Sequence, residues 1–193
     1  MKKILIIFLC LVNFLSFAIS IEIKTIVSIN NKIITNVDLD DEITILKILN
    51  PSQISQEKNI QNIALNNLIN ENLKKIEIKK NKIETENEKK KILTQYKELL
   101  EKIKKNNLKL TKKIEDTIYS KIELEYQWGK FISNKYSWQI NINMQEVKNK
   151  IGDNKTISEI ESIINFEKDK KLNLYSISHL ENLKKNSLIK YFK

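Results

Sequence analysis

Three successive runs between residues 57 and 134 carry apolar side chains at three- and four-residue spacing, and that rhythm commits the chain to helices. The first extends from about Glu57 to Lys80, with Ile60, Ile63, Ala64, Leu68, Leu73 and Ile76 as a stripe and asparagine and lysine opposite. The second opens at Thr85 and Glu88, residue types that cap a helix reciprocally, and carries Ile92, Tyr96, Leu99, Leu100 and Ile103 before Asn106-Asn107 closes it. The third starts after Thr111 and continues to about Asn134. Ile114, Ile118, Ile122 and Tyr126 form one side of it, and Leu124, Trp128, Phe131 and Ile132 widen the apolar arc. A helix apolar over so wide an arc is buried on two sides or touches a partner.

The flanks read differently. Thr25 to Ile29 is β-branched, Asn30-Asn31-Lys32 is turn chemistry, and Ile33-Ile34 is β-branched again, which predicts a short hairpin. Thr35 to Asp38 then start a helix marked by Leu39, Ile43, Leu46 and Leu49, and Asn50-Pro51-Ser52 ends it. Asn143 and Glu146 cap a short helix that Gly152 stops. Thr156 and Glu159 cap the last long segment, which carries Ile157, Ile160, Ile163, Ile164, Leu172, Tyr175, Leu180, Leu183, Leu188 and Ile189. The expected fold is mainly α, one helical domain with a small N-terminal hairpin and a single candidate joint at Gly152 to Lys155.

Export is written into the first residues. Lys2 and Lys3 precede an almost wholly apolar run from Ile4 to Ser20, and Ala18 and Ser20 are small residues at signal-peptidase spacing. Residues 1–20 are therefore expected to be a signal peptide cleaved before Ile21, with delivery to the periplasm. The alternative is an uncleaved inner-membrane anchor, for which the run is slightly short. Cys10, the only cysteine, lies inside this segment, so a mature chain would hold no disulfide, thiol nucleophile or thiolate metal site.

Charge and composition narrow the function. All 34 basic residues are lysine, and the net charge is +10. Phosphate and base recognition lean on the planar fork of arginine, absent here, so a solvated basic surface is the reading rather than nucleic-acid binding. Weak association with anionic membrane surfaces stays compatible with that charge. His179 is the sole histidine, expected on the surface of a lysine-rich helix, and it offers neither an imidazole metal cluster nor a catalytic pair. The acidic set Asp38, Asp40, Asp41 and Glu42 suits the positive end of a helix and lacks the glycine and terminal glutamate of a calcium loop. Two glycines, far apart, make no phosphate cradle. No enzyme, metal or cofactor is expected. Six aromatics (Tyr119, Tyr126, Trp128, Phe131, Tyr136 and Trp138) fall between residues 119 and 138, although aromatics are only 7% of the chain. They are either core or, for Tyr126, Trp128, Phe131, Tyr136 and Trp138, the lining of a groove for apolar peptide segments.

Ile26 to Asp38 resembles the opening of the SurA-type periplasmic chaperones and prolyl isomerases, with Asn31 and Lys32 departing from the usual turn. Ala64-Leu65-Asn66-Asn67-Leu68-Ile69-Asn70-Glu71-Asn72-Leu73 is similar to a helix signature of that family, and Leu124 to Phe131 and Asn143 to Val147 resemble later stretches. Ser178 to Tyr191 is similar to its closing helix, with lysine where arginine is usual. The resemblance implies a SurA-like core in which residues 21–152 form the N-terminal helical module and residues 153–193 complete the same domain. Leu180, Leu183, Leu188 and Ile189 would pack back on that module. The family carries parvulin domains between the two parts; here only Ile151 to Lys155 stands there, so no isomerase activity is expected. The implied function is an ATP-independent holdase for unfolded exported polypeptides, outer-membrane proteins above all. The rival is a membrane-anchored scaffold subunit.

Overall fold

Asn30 turns the chain in a left-handed conformation (φ 51°), which asparagine tolerates, and joins Thr25–Ile29 (β1) to Lys32–Thr35 (β2) as an antiparallel pair with Ile29 opposite Lys32. The structure, a computed structural model, describes residues 22–49, 57–105, 110–145, 147 and 156–192. The expected signal peptide, the expected stop at Asn50-Pro51-Ser52, Asn106-Asn107, Glu146 and the candidate joint at Gly152 to Lys155 lie outside the described residues. Five helices follow the hairpin among those described: Asn36–Leu49 (α1), Glu57–Asn81 (α2), Lys89–Lys105 (α3), Lys112–Tyr136 (α4) and Ile157–Asn186 (α5). The chain then adds Ile189–Tyr191 (β3) to the far side of β1, giving an antiparallel sheet in the order β2-β1-β3.

The helix ends have local causes. Thr35 Oγ1 accepts the Asp38 N–H, and Asp38 in turn accepts the Thr35 N–H at 2.8 Å, so α1 begins with a reciprocal cap. Thr111 Oγ1 accepts the Ile114 N–H at the start of α4, and Thr156 with Glu159 forms a complete capping box on α5. At the end of α2, Lys82 sits at φ 51°. The Ile83 N–H returns to Ile78 O and the Lys82 N–H to Lys79 O, the paired bonds of a Schellman turn, while Ile78 and Ile83 share one apolar cluster. Thr85 and Glu88 do not form the expected cap. Thr85 is buried and its side chain makes no cap bond, a 3-10 turn fills Glu86–Glu88, and the Glu88 carboxylate is drawn across to Lys130 on α4.

Three apolar clusters hold these elements together. Val27, Ile29 and Ile34 of the sheet bury against Ile69 and Leu73 of α2. Ile78 of α2 packs with Leu124, Trp128, Phe131 and Ile132 of α4. Ile45 of α1 and Ile103 of α3 pack with Ile114 and Ile118 of α4. The wide apolar arc of α4 is thus two stripes in succession, its first half turned to α1 and α3 and its second half to α2 and α5. Leu180 and Leu183 of α5 pack against both the sheet cluster and the Trp128 cluster, and Ile189 of β3 against the sheet cluster. The C-terminal helix therefore packs back on the N-terminal elements. Leu188 departs from expectation: its side chain is 60% exposed, because the helix has ended and the backbone, not the side chain, is what docks. Asn30 exchanges backbone N–H and side-chain Oδ1 bonds with Leu188 at 2.9 and 3.0 Å.

Candidate functional site

The aromatics of α4 divide by helical phase. At 100° per residue, Phe131 stands opposite Ile122 on the helix, and Tyr126 falls close to Ile122. Trp128 and Phe131 are 3% exposed and belong to the core. The Trp128 indole N–H donates to Ser176 Oγ on α5 at 2.8 Å, and the Tyr136 ring stacks on Tyr175 at 4.9 Å, so both rings clasp α5. Tyr126 is half-buried on the other side. Trp138, in the 3-10 turn Ser137–Gln139, is 78% exposed, with its indole N–H donating to Lys135 O at 2.9 Å. The structure brings Trp128, Phe131 and Tyr136 into one cluster and leaves Tyr126 and Trp138 apart from it.

His179 is at the centre of that cluster instead of on the surface. Its ring lies 5.2 Å from Phe131 and 5.7 Å from Trp128, and its Nδ1 is 2.7 Å from the Tyr136 hydroxyl. Nε2 is buried without a hydrogen-bond partner, and the nearest carboxylate oxygen, on buried Glu77, is 3.7 Å away. Burial holds the imidazole below its ordinary pKa, the Lys135 cation adds to that effect, and Glu77 opposes it. A tyrosine, a histidine and a glutamate in line have the composition of a proton relay. Enclosed by Trp128 and Phe131, they instead bind α2, α4 and α5 together. Sequence spacing gave no hint of this, because the three residues come from three helices.

Two kinds of surface remain open. A groove of about 620 Å³ runs between α3 and α4, with Ile122, Tyr126, Gly129 and Ser133 along α4 and Gln95 opposite. A second depression of about 570 Å³ shares Gln95 and Tyr126 with it. On α5, Phe166, Leu174 and Ile177 are 67%, 60% and 54% exposed and fall within one side of the helix. A third depression, of about 420 Å³, lies beside Leu174 and Tyr175 and reaches Gln139, next to Trp138. Among the described residues, no group of three or more histidine, cysteine, aspartate or glutamate side chains is placed to hold a metal, and no helix is long and apolar enough to cross a membrane. No protein-family model matches the chain, and no curated protein matches it significantly in sequence.

Proposed function

We propose that the protein is an exported, ATP-independent holdase that shields apolar segments of unfolded outer-membrane and other exported polypeptides, without prolyl isomerase activity. One observation carries this reading: α5 docks through Leu172, Ser176, His179 and Leu183 while Phe166, Leu174 and Ile177 stay exposed on the far side of the same helix. A helix that needed only to pack would be polar there, and large apolar side chains grouped at a surface mark a place where other apolar surface is met. Weak contacts at several such points hold a client yet let it leave. The signal-like N-terminus and the resemblance to SurA-type chaperones support the same assignment.

The test is dilution of a urea-unfolded β-barrel protein into buffer without nucleotide, followed by light scattering. Aggregation should fall at near-stoichiometric ratios of this protein, and a Phe166→Ser/Leu174→Ser/Ile177→Ser variant should protect less. Scattering equal to that with an inert protein of the same size refutes the reading. N-terminal sequencing of the exported product accompanies it. A start at Ile21 supports cleavage, whereas intact Met1 in the membrane fraction moves the assignment to an anchored subunit.

A further inference from the structure

Gly129 is the only glycine among the described residues, and it lies inside α4, where glycine is the poorest helix former apart from proline. Nothing in the fold asks for it there. The residue is exposed, and a Cβ built on it would meet no atom within 4 Å. Its effect is on the groove between α3 and α4. With Ser133 one turn on, it leaves the α4 backbone open beyond the ring of Tyr126, which is where the closest approach of another chain becomes possible.

The groove's charges decide what that chain is. Glu88, Lys121, Glu125 and Lys130 stand in its wall, and each is already engaged within the protein. Lys121 pairs with Glu42 at 2.6 Å and with Glu71, Glu125 with Lys74 at 2.6 Å, and Lys130 with Glu88 at 3.2 Å. Formal charge is thus neutralised internally, and Ile122, the Tyr126 ring and the lysine stems supply apolar surface. The groove shares Gln95 and Tyr126 with the adjoining depression, whose wall also carries Lys90, Lys91 and Glu98, and the two together suit an extended strand, polar at that end, better than a compact ligand.

We infer that the α3–α4 groove is a client-binding site that receives an extended polypeptide segment, uncharged and apolar where it crosses Gly129. This rests on the holdase reading for the nature of the client and gives it a site on the side of α4 turned away from Trp128 and Phe131.

The experiment is an amide NMR titration of the full protein with a capped peptide of alternating leucine and serine, repeated on Gly129→Leu and Gly129→Ala. Leucine fills the groove and is a better helix former, so Gly129→Leu should melt at or above the parent temperature. The peptide should shift the amides of Ile122, Tyr126 and Gly129, and Gly129→Leu should weaken it by roughly tenfold or more, with Gly129→Ala closer to the parent. No binding, or binding that Gly129→Leu leaves unchanged, overturns the site. If the parent protein still suppresses aggregation in that case, the holdase reading stands with another surface. Groove-dependent binding without aggregation suppression supports the site and removes the holdase reading.

Discussion

Replacing Leu180 and Leu183 with alanine should release α5 from the rest of the molecule. Each side chain touches both the sheet cluster and the Trp128 cluster, so each loses contacts on two fronts. Fully buried Leu→Ala changes cost about 2–5 kcal/mol. Both leucines are only partly buried, which places them near the lower bound, about 2 kcal/mol each and about 4 kcal/mol together. Being one turn apart, the two losses will not add strictly. Set against a usual net stability of about 5–15 kcal/mol, that is a large share. The assay is urea unfolding followed by far-ultraviolet circular dichroism and, in a Trp138→Phe background, by Trp128 fluorescence. Trp128 is a local reporter because its indole N–H is bonded to Ser176 on α5. A double variant that loses less than about 1 kcal/mol, with Trp128 emission unchanged, would refute the role given to this helix. Deletion of Lys170 to Lys193 is the extreme form and should give an insoluble or molten product; a cooperative melt would count against the same reasoning.

Four further outcomes are expected. Because burial favours neutral His179, the unfolded chain takes up its proton first as pH falls below the ordinary 6.5, so stability contributed here is present above that value and is lost as pH falls toward the lowered folded pKa; Glu77, Lys135, Tyr136 and Tyr175 are the titratable groups around it, and an NMR titration with its inflection at or above 6.5 would contradict this. Ser176→Ala strips the buried Trp128 N–H of its acceptor and should cost about 1–3 kcal/mol in urea unfolding, whereas no change would mean that the bond contributes nothing. Glu42→Ala should cost about 3 kcal/mol, the lower bound for breaking a buried pair, since Lys121 keeps Glu71; Glu42 is 3% exposed and also accepts from Asn67. Lys82→Gly should raise stability by about 0.4–1 kcal/mol or leave it level, because the Schellman turn holds that residue at positive φ; a loss would show that the lysine side chain matters more than the backbone.

The hairpin, the existence of the helices and the caps at Thr35 and Thr156 were legible in the sequence because each is decided within a few residues. What depends on distant partners was not. In α1 the stripe of Leu39, Ile43 and Leu46 pointed one position aside from the residues that are buried, Glu42 and Ile45, since a glutamate enters the interior only when Lys121 and Asn67 await it. Ile63 of the α2 stripe is exposed, whereas Ile69 and Ile78 are buried, because the sheet and α4 meet that helix on opposite sides, Ile69 facing one and Ile78 the other. β3 was hidden inside a run that continues the helical spacing from Leu183 to Ile189. Only pairing with β1 makes Ile189–Tyr191 a strand. Of the aromatics, Tyr126 and Trp138 are at the surface, and Trp128, Phe131 and Tyr136 are committed to holding α5. Composition could gather the six but could not sort them.

The bond between Asn30 and Leu188 joins positions 158 residues apart, and β1, the first strand made, has β2 on one side and on the other β3, the last strand among the described residues. While a chain emerges from its N-terminus, β1 has only β2 to pair with, and two-stranded hairpins are marginal alone. Packing on α2 can cover Val27, Ile29 and Ile34 earlier, but the three-stranded sheet is complete only when Ile189–Tyr191 arrives. Closure over so long a separation is entropically late and kinetically slow. The molecule is therefore fastened at its seam, and a chain cut short anywhere before β3 lacks the strand that finishes what Thr25–Ile29 and Lys32–Thr35 began.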